Sequence, residues 1–198
     1  MGSEPQLWRT DGTRAGTVRL RDSWAAGPEQ LTVVGKRLAW FGDGGLWASD
    51  GTRAGTRRLV PLAHEGTDLT ALGARVLYLH EEVNAWEQTT AAELWTADLA
   101  TGVATRLLRL AVPEPEGNEV GLCCLVRAAG RIWLHGDEPE HGSEPWVSDG
   151  TAGGTGLVAD LLPGPDGSGP RSIRAMGESV VLTASDGVHG GEPWSVTP

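Results

Sequence analysis

The chain has 198 residues, a formal net charge of −10 and an isoelectric point near 4.9. This negative charge excludes the broad positive surface that nucleic acids and anionic membranes require, so we expect no nucleic-acid partner. No apolar run reaches the length of about 18 residues that a spanning helix needs, so we expect no membrane insertion. The 29 glycines and 12 prolines are interspersed with short apolar segments, which favours a turn-rich globular fold over disorder.

A motif built on tryptophan and aspartate returns along the chain. Its first copy reads Leu7-Trp8-Arg9-Thr10-Asp11-Gly12-Thr13. The equivalent tryptophans are Trp8, Trp47, Trp95, Trp146 and Trp194, and the aspartates that follow them are Asp11, Asp50, Asp98 and Asp149. The tryptophans are separated by 39, 48, 51 and 48 residues. Periods of this length are typical of propellers and solenoids.

The interval after each tryptophan divides into short apolar segments separated by turn residues. In the fourth repeat the predicted strands are 146–148, 154–160, 172–176 and 179–184, with Asp-Gly and Pro-Gly sequences between them. Four short strands per repeat predict a single all-β domain over 1–198, a β-propeller of four blades with about 48 residues each. The blades are predicted at approximately 7–45, 46–93, 94–144 and 145–194.

The two ends of the chain carry the same sequence features. Gly2-Ser3-Glu4-Pro5 repeats the sequence of residues 142–145, and Trp8 and Trp194 would occupy the same position in a ring of four blades. The alternative to a closed ring is therefore an open arc that associates with itself, through unpaired terminal strands, to form a larger ring.

The repeat resembles a known family. Residues 144–155 read Glu-Pro-Trp-Val-Ser-Asp-Gly-Thr-Ala-Gly-Gly-Thr, and residues 186–194 read Asp-Gly-Val-His-Gly-Gly-Glu-Pro-Trp. This pattern is similar to the bacterial Glu-Leu-Trp-x-x-Asp-Gly-Thr repeat family. The resemblance implies an extracellular or cell-surface location and no assigned activity, and it supplies no catalytic residues. The sequence as given shows no signal peptide at Met1.

The repeated residues are interpreted as structural. We expect the repeat tryptophans to pack between blades and the aspartates to accept hydrogen bonds within their own turns. Calcium binding by these aspartates is the alternative, because calcium prefers oxygen ligands. His141 and His189 are equivalent and lie near Glu144 and Glu192. We interpret both histidines as partners of the adjoining turn and predict no metal site.

The two cysteines are adjacent in sequence. Cys123 and Cys124 lie in a predicted strand, where neighbouring side chains point to opposite faces. A disulfide between them would need unusual geometry. The sequence therefore predicts two reduced thiols.

Candidate binding residues lie where the repeat fails. Trp24 and Trp86 break the pattern, and the irregular segments near residues 80–92 and 111–121 contain polar groups. Aromatic rings beside carboxylates and amides suit glycan stacking or a protein hot spot. The candidate set is Trp24, Trp86, Glu82, Asn84, Asn118 and Glu119.

These observations favour a non-enzymatic propeller that binds a protein or a glycan through its loops. Neither a Gly-x-Ser-x-Gly nucleophile motif nor a phosphate-binding loop is present in the sequence, and no catalytic residue is identified. Two alternatives remain open: a carbohydrate-active hydrolase or lyase with a site at the central channel, and a structural segment of a cell-surface repeat protein.

Overall fold

The computed structural model describes residues 6–21, 27–64, 66–85, 88–111, 120–177 and 179–196. Within these ranges the regular structure consists of seventeen β-strands and no helix. Accordingly, no helix in the described ranges is long and apolar enough to cross a bilayer. The predicted all-β fold is confirmed.

The strands form five antiparallel units. An N-terminal hairpin contains β1 (Leu7–Arg9) and β2 (Val18–Arg21). Sheet I contains β3 (Glu29–Val34), β4 (Arg37–Phe41), β5 (Gly45–Ser49) and β6 (Arg57–Pro61). Sheet II contains β7 (Thr67–Leu72), β8 (Arg75–Val83), β9 (Thr89–Asp98) and β10 (Ala104–Ala111). Sheet III contains β11 (Gly121–Ala128), β12 (Arg131–Glu138), β13 (Gly142–Ser148) and β14 (Thr155–Leu157), and sheet IV contains β15 (Arg171–Met176), β16 (Ser179–Ser185) and β17 (Gly191–Val196).

Each sheet is a meander in which strand order follows chain order. The first strands of successive sheets contact one another: β3 contacts β7, β7 contacts β11, and β11 contacts β15. The sheets are therefore arranged side by side with their first strands innermost. This is the architecture of a β-propeller.

The sheets are offset from the sequence repeat. The repeat tryptophans lie on β5, β9, β13 and β17, which are the third strands of their sheets. Each of the predicted segments 7–45, 46–93, 94–144 and 145–194 therefore combines the outer strands of one sheet with the inner strands of the next. The difference arises because the predicted segments begin at the repeat tryptophan, which lies on the third strand of a sheet. Each sheet begins two strands before that tryptophan.

Each repeat tryptophan packs on the sheet that precedes its own. Trp95 joins the core between sheets I and II, Trp146 the core between II and III, and Trp194 the core between III and IV. Trp47 stacks on Trp40, with ring centroids 6.4 Å apart, and both contact the N-terminal hairpin through Leu7.

Trp8 departs from the expected packing between blades. It lies on β1, and the described residues contain no sheet before the hairpin. Its side chain is therefore 52% exposed.

The Asp-Gly-Thr turns are held by their own side chains. In the first turn, Asp11 Oδ1 accepts hydrogen bonds from the Thr13 backbone N–H (2.9 Å) and hydroxyl (2.8 Å). The Thr13 hydroxyl oxygen in turn accepts a bond from the N–H of Gly16. Asp50 and Asp149 make the same bonds to Thr52 and Thr151. These hydrogen bonds lower the pKa of each aspartate, because they stabilise the charged form.

The same turn explains why a glycine stands five residues after each of these three aspartates. A β-carbon on Gly16, Gly55 or Gly154 would overlap the aspartate carboxylate of its own turn. Glycine is needed here for space, and not for a positive φ angle.

We expect Gly154→Ala to destabilise the protein by on the order of 1–3 kcal/mol, because the new methyl group forces the Asp149 carboxylate out of its hydrogen bonds. Gly153→Ala is the matched control, since a β-carbon on Gly153 meets open space. Urea denaturation of both variants measures the difference. Equal stability of the two variants would contradict the steric explanation.

Candidate functional site

The two ends of the sheets have different roles. The Asp-Gly-Thr turns and the tight turns between first and second strands lie at one end, here named the turn end. The turns between second and third strands, and the connections from one sheet to the next, lie at the opposite end, here named the bulge end. The described residues on either side of Trp24, and those on either side of Asn118 and Glu119, lie at the bulge end, as does the β8–β9 hairpin.

Every first strand begins with the same irregularity. The register between first and second strands shifts at residues 29–32, 67–70, 123–126 and 171–174. The second residue of each bulge has a positive φ angle, and none of these residues is glycine. They are Gln30 (51°), Asp68 (54°), Cys124 (68°) and Ser172 (54°).

A positive φ angle disfavours residues with side chains, and it persists only where the surrounding structure imposes it. Its recurrence at four equivalent positions shows that the bulge is part of the architecture. Bulges commonly aim side chains at sheet ends and next to active sites. The backbone conformation is the same in all four bulges, but the side chain at the second position differs. It is an amide in sheet I, a carboxylate in sheet II, a sulfur in sheet III and a hydroxyl in sheet IV.

Hydrogen bonds join neighbouring bulges. The Leu69 N–H donates to Gln30 Oε1 at 3.0 Å, and the Thr32 hydroxyl donates to the Leu69 carbonyl at 2.8 Å. One sheet further on, the Cys124 N–H donates to Asp68 Oδ2 at 2.6 Å. The side chain of one bulge thus fixes the backbone of the next bulge.

The cysteine prediction is wrong. Cys123 and Cys124 form a disulfide, with their Cα atoms 3.7 Å apart. The expectation of opposed side chains assumed a regular strand, but these residues form the bulge of sheet III, and the positive φ angle of Cys124 breaks the alternation. The sequence signal that was missed is the equivalence of Cys124 with Gln30, Asp68 and Ser172.

His135 lies opposite this disulfide on β12. Its Nδ1 atom is 3.4 Å from Cys123 Sγ. Burial lowers the pKa of His135, and the nearby Asp137 carboxylate opposes this shift. The imidazole is therefore neutral at pH 7, and the disulfide is flanked by a half-buried uncharged ring.

The glutamates two residues before the repeat tryptophans hold the structure at the bulge end. Glu144 is fully buried and accepts hydrogen bonds from the Leu162 N–H (3.0 Å), the Ser168 N–H (2.9 Å) and the Ser168 hydroxyl (2.6 Å). These bonds fix the connection that leads into β15 and its bulge.

Glu93 occupies the same repeat position in sheet II but has different partners. It accepts hydrogen bonds from Arg106 (2.7 Å) and from the Trp95 indole N–H (2.8 Å). Arg109 and His80 lie 3.5 and 3.7 Å away. The carboxylate is buried but fully engaged, so its arrangement is that of a structural ion pair.

The structure describes two of the six predicted binding residues. Glu82 is paired with Arg109 at 2.6 Å, and this hydrogen bond lowers the pKa of Glu82. Asn84 closes the β8–β9 hairpin by donating to Gln88 Oε1 (3.0 Å) and accepting from the Gln88 N–H (3.1 Å). Trp24, Trp86, Asn118 and Glu119 lie outside the described residues. The structure therefore leaves the predicted binding set untested.

The two equivalent histidines contact the acidic residue three positions before them. The His189 Nδ1 atom lies 2.8 Å from Asp186 Oδ2, and His141 Nδ1 is hydrogen-bonded to Glu138. The backbone N–H groups of both histidines donate to the same carboxylates. His141 and His189 thus act within the turns that precede Glu144 and Glu192.

Three groups among the described residues bring potential metal ligands together. They are Cys123, Cys124 and His135; Glu138, Glu140 and His141; and Asp186, His189 and Glu192. The first group is engaged in the disulfide, and in the other two the histidine is hydrogen-bonded to the acidic residue. Calcium binding at the turn aspartates stays a prediction.

No family model and no curated protein matches the sequence. Solved structures do match. An oligogalacturonate lyase in complex with manganese is 15% identical, with a TM-score of 0.50 over 99% of this chain and 55% of that chain. A prolyl endopeptidase is 14% identical, with a TM-score of 0.54 over 98% of this chain and 30% of that one. A puromycin hydrolase is 17% identical, with a TM-score of 0.51 over 98% and 35%.

These likenesses concern the fold alone, because the sequence identities are low. The chain spans between 30% and 55% of the length of these three proteins.

Iodoacetamide is expected to leave both cysteines of the native chain unmodified in the absence of a reductant, because they are joined in the disulfide. Prior reduction should give two adducts by intact mass spectrometry. The Cys124→Ser variant, which retains one free thiol, should give one adduct without reduction. Two adducts on the unreduced native protein would contradict the bond.

The hydrogen bond that the His141 imidazole donates to the Glu138 carboxylate raises the pKa of His141 above its ordinary value of 6.5. Because the folded-state pKa is raised, the stabilisation by protonated His141 is complete below that ordinary value and is lost as the pH rises through the folded-state pKa. An NMR titration should show the raised pKa, and Glu138→Gln should return it towards 6.5. An unchanged His141 pKa in the variant would contradict this assignment.

Proposed function

We propose that this protein is a binding module that holds a glycan at the bulge end of its sheets. The observation that carries the proposal is the repeated bulge, which presents Gln30, Asp68, Cys124 and Ser172 from one fixed backbone geometry. The Asp-Gly-Thr turns of the hairpin, sheet I and sheet III make the same hydrogen bonds, whereas the bulge end differs from sheet to sheet. Binding residues are typically carried in this way, as variation on a rigid scaffold.

The chemistry of the bulge residues suits a polyol ligand. The first positions of the bulges add Glu29 and Arg171, both exposed, to the amide, carboxylate and hydroxyl at the second positions. Sugar hydroxyls donate and accept hydrogen bonds, and these side chains offer both kinds of partner. The half-exposed Cys123–Cys124 disulfide supplies a polarisable apolar surface beside them.

The hydrolase or lyase reading has weaker support. Glycoside hydrolysis commonly uses two carboxylates at a defined separation on either side of the bond to be cleaved. The second bulge positions supply one carboxylate, Asp68, and not a pair. The named activities of the similar structures belong to those proteins, and we place binding before catalysis for this chain.

The family assignment is also a proposal. The repeats at residues 144–155 and 186–194 support membership of the Glu-Leu-Trp-x-x-Asp-Gly-Thr family, and with it an extracellular or cell-surface location. A glycan ligand is compatible with that location. A protein partner at the same end is the alternative, and a purely structural role is the third possibility.

Ser172→Gly is expected to weaken glycan binding by about tenfold, because it removes the hydroxyl while glycine accepts the positive φ angle. Ala129→Gly is the matched control, since Ala129 also has a positive φ angle (49°) but lies in a turn at the turn end. A glycan array followed by calorimetry with the best ligand measures both variants.

Trp24→Ala and Trp86→Ala, measured against the same ligand, test the two aromatic residues of the predicted binding set. Absence of any glycan ligand would contradict the proposal, and so would equal affinity of the native chain and Ser172→Gly. Turnover of the ligand during the assay would favour the enzyme alternative.

A further inference from the structure

Each contact between neighbouring sheets uses the same pair of positions on the first strands. Val34 of sheet I and Leu69 of sheet II belong to one core. Leu72 and Leu125 pack against the core between sheets II and III, and Ala128 and Ile173 belong to the core between sheets III and IV. The last residue of one first strand and the residue after the bulge in the next first strand thus share one core.

The two remaining residues of this series are exposed. Leu31 is the sheet I equivalent of Leu69 and Ile173, and it is 53% exposed where those residues are 7% and 4% exposed. Met176 is the sheet IV equivalent of Val34, and it is 61% exposed where Val34 is 5% exposed. A fourth contact of the same kind would join Met176 to Leu31.

The surroundings of the two residues are complementary. On sheet I, a groove of about 370 Å³ lies between this sheet and the N-terminal hairpin, and its lining includes Leu20, Val33 and Leu38 together with Lys36, Arg37 and Asp50. Sheet IV offers its outer face with Met176 and carries two exposed arginines, Arg171 and Arg174. The first bulge residue of sheet I is the exposed acidic Glu29.

We propose that sheet IV of one copy of this chain packs on sheet I of a second copy, with Met176 against Leu31 of the partner subunit. Within one chain, Leu31 and Met176 are left exposed, although the N-terminal hairpin covers part of sheet I. Among the described residues, the strand contacts that link sheets I to IV do not recur between sheet IV and sheet I. A second copy would supply the partner that each of these two residues lacks within one chain.

The outer strands must rearrange when the two faces meet. Trp8 on β1 and Trp194 on β17 are repeat equivalents, so both strands would occupy the third position of the joined blade. β1 is the weaker occupant, because it has three residues, an irregular register with β2 and an exposed tryptophan. We expect β2 to pair with β17 of the other copy, as β14 pairs with β13.

This association would continue the series of bulges. Ser172 of one copy would lie beside Gln30 of the other, as Gln30 lies beside Leu69 within one chain. The interface does not depend on which ligand the bulge end binds. A failure of the glycan proposal would therefore leave the proposed interface unaffected.

Light scattering of the 198-residue chain after size-exclusion chromatography tests the interface. We expect a mass of twice 20.8 kDa for the native chain. Leu31→Glu and Met176→Glu should each shift the mass to 20.8 kDa while the circular-dichroism spectrum stays that of the folded chain, because both side chains are exposed in the single chain. Val103→Glu, at an exposed valine of the middle sheet II, should keep the native mass.

Cysteine crosslinking identifies the occupant. A mixture of Leu31→Cys and Met176→Cys single variants should form a covalent dimer on mild oxidation, with the introduced cysteines joined in the crosslinked peptide. A native mass of 20.8 kDa at every concentration would overturn the proposal. The double variant Leu31→Cys/Met176→Cys provides a second test. If it crosslinks only within one chain, the proposal is overturned as well, because sheet IV would then pack on sheet I of the same chain.

Discussion

The packing of each repeat tryptophan on the preceding sheet is the interaction on which the rest of this structure depends. A large ring on the third strand covers the face of the sheet before it, so no sheet is complete without a neighbour on each side. The first strands become the inner edge as a result of that stacking. The bulges, the disulfide and the buried glutamates all lie on a scaffold set by this one contact.

The residues that stabilise this scaffold and the residues that differ from sheet to sheet lie at opposite ends of the sheets. At the turn end, the aspartate, threonine and second glycine form a self-contained set of hydrogen bonds that repeats nearly unchanged. At the bulge end, the same backbone carries chemically different groups. Glu93 and Glu144 occupy the same repeat position but have different partners. Glu93 is hydrogen-bonded to Arg106, whereas Glu144 accepts hydrogen bonds from the connection that contains Ser168.

Much of the architecture was predictable from the sequence, because glycine, aspartate and tryptophan mark turns and packing positions directly. The spacing of Trp47, Trp95 and Trp146 indicated a series of packed sheets. The expectation that the aspartates accept hydrogen bonds within their own Asp-Gly-Thr turns is also confirmed. The sheet boundaries were not predictable, since the first strands carry no invariant residue. The bulges were also missed: Gln30, Asp68, Cys124 and Ser172 share a backbone angle and no side-chain chemistry. The paired cysteines were misjudged for this reason, because an alternating strand was assumed where the backbone turns.

The one-sided packing of the tryptophans also has a direction along the chain. Trp95, Trp146 and Trp194 each meet a four-stranded sheet that precedes their own sheet in the sequence. During synthesis from the N-terminus, every new sheet therefore emerges beside a surface whose strands have already been made. Sheet I and the hairpin act as a template for sheet II, which does the same for sheet III. The order of the repeats along the chain is therefore also the order in which these packing surfaces are synthesised.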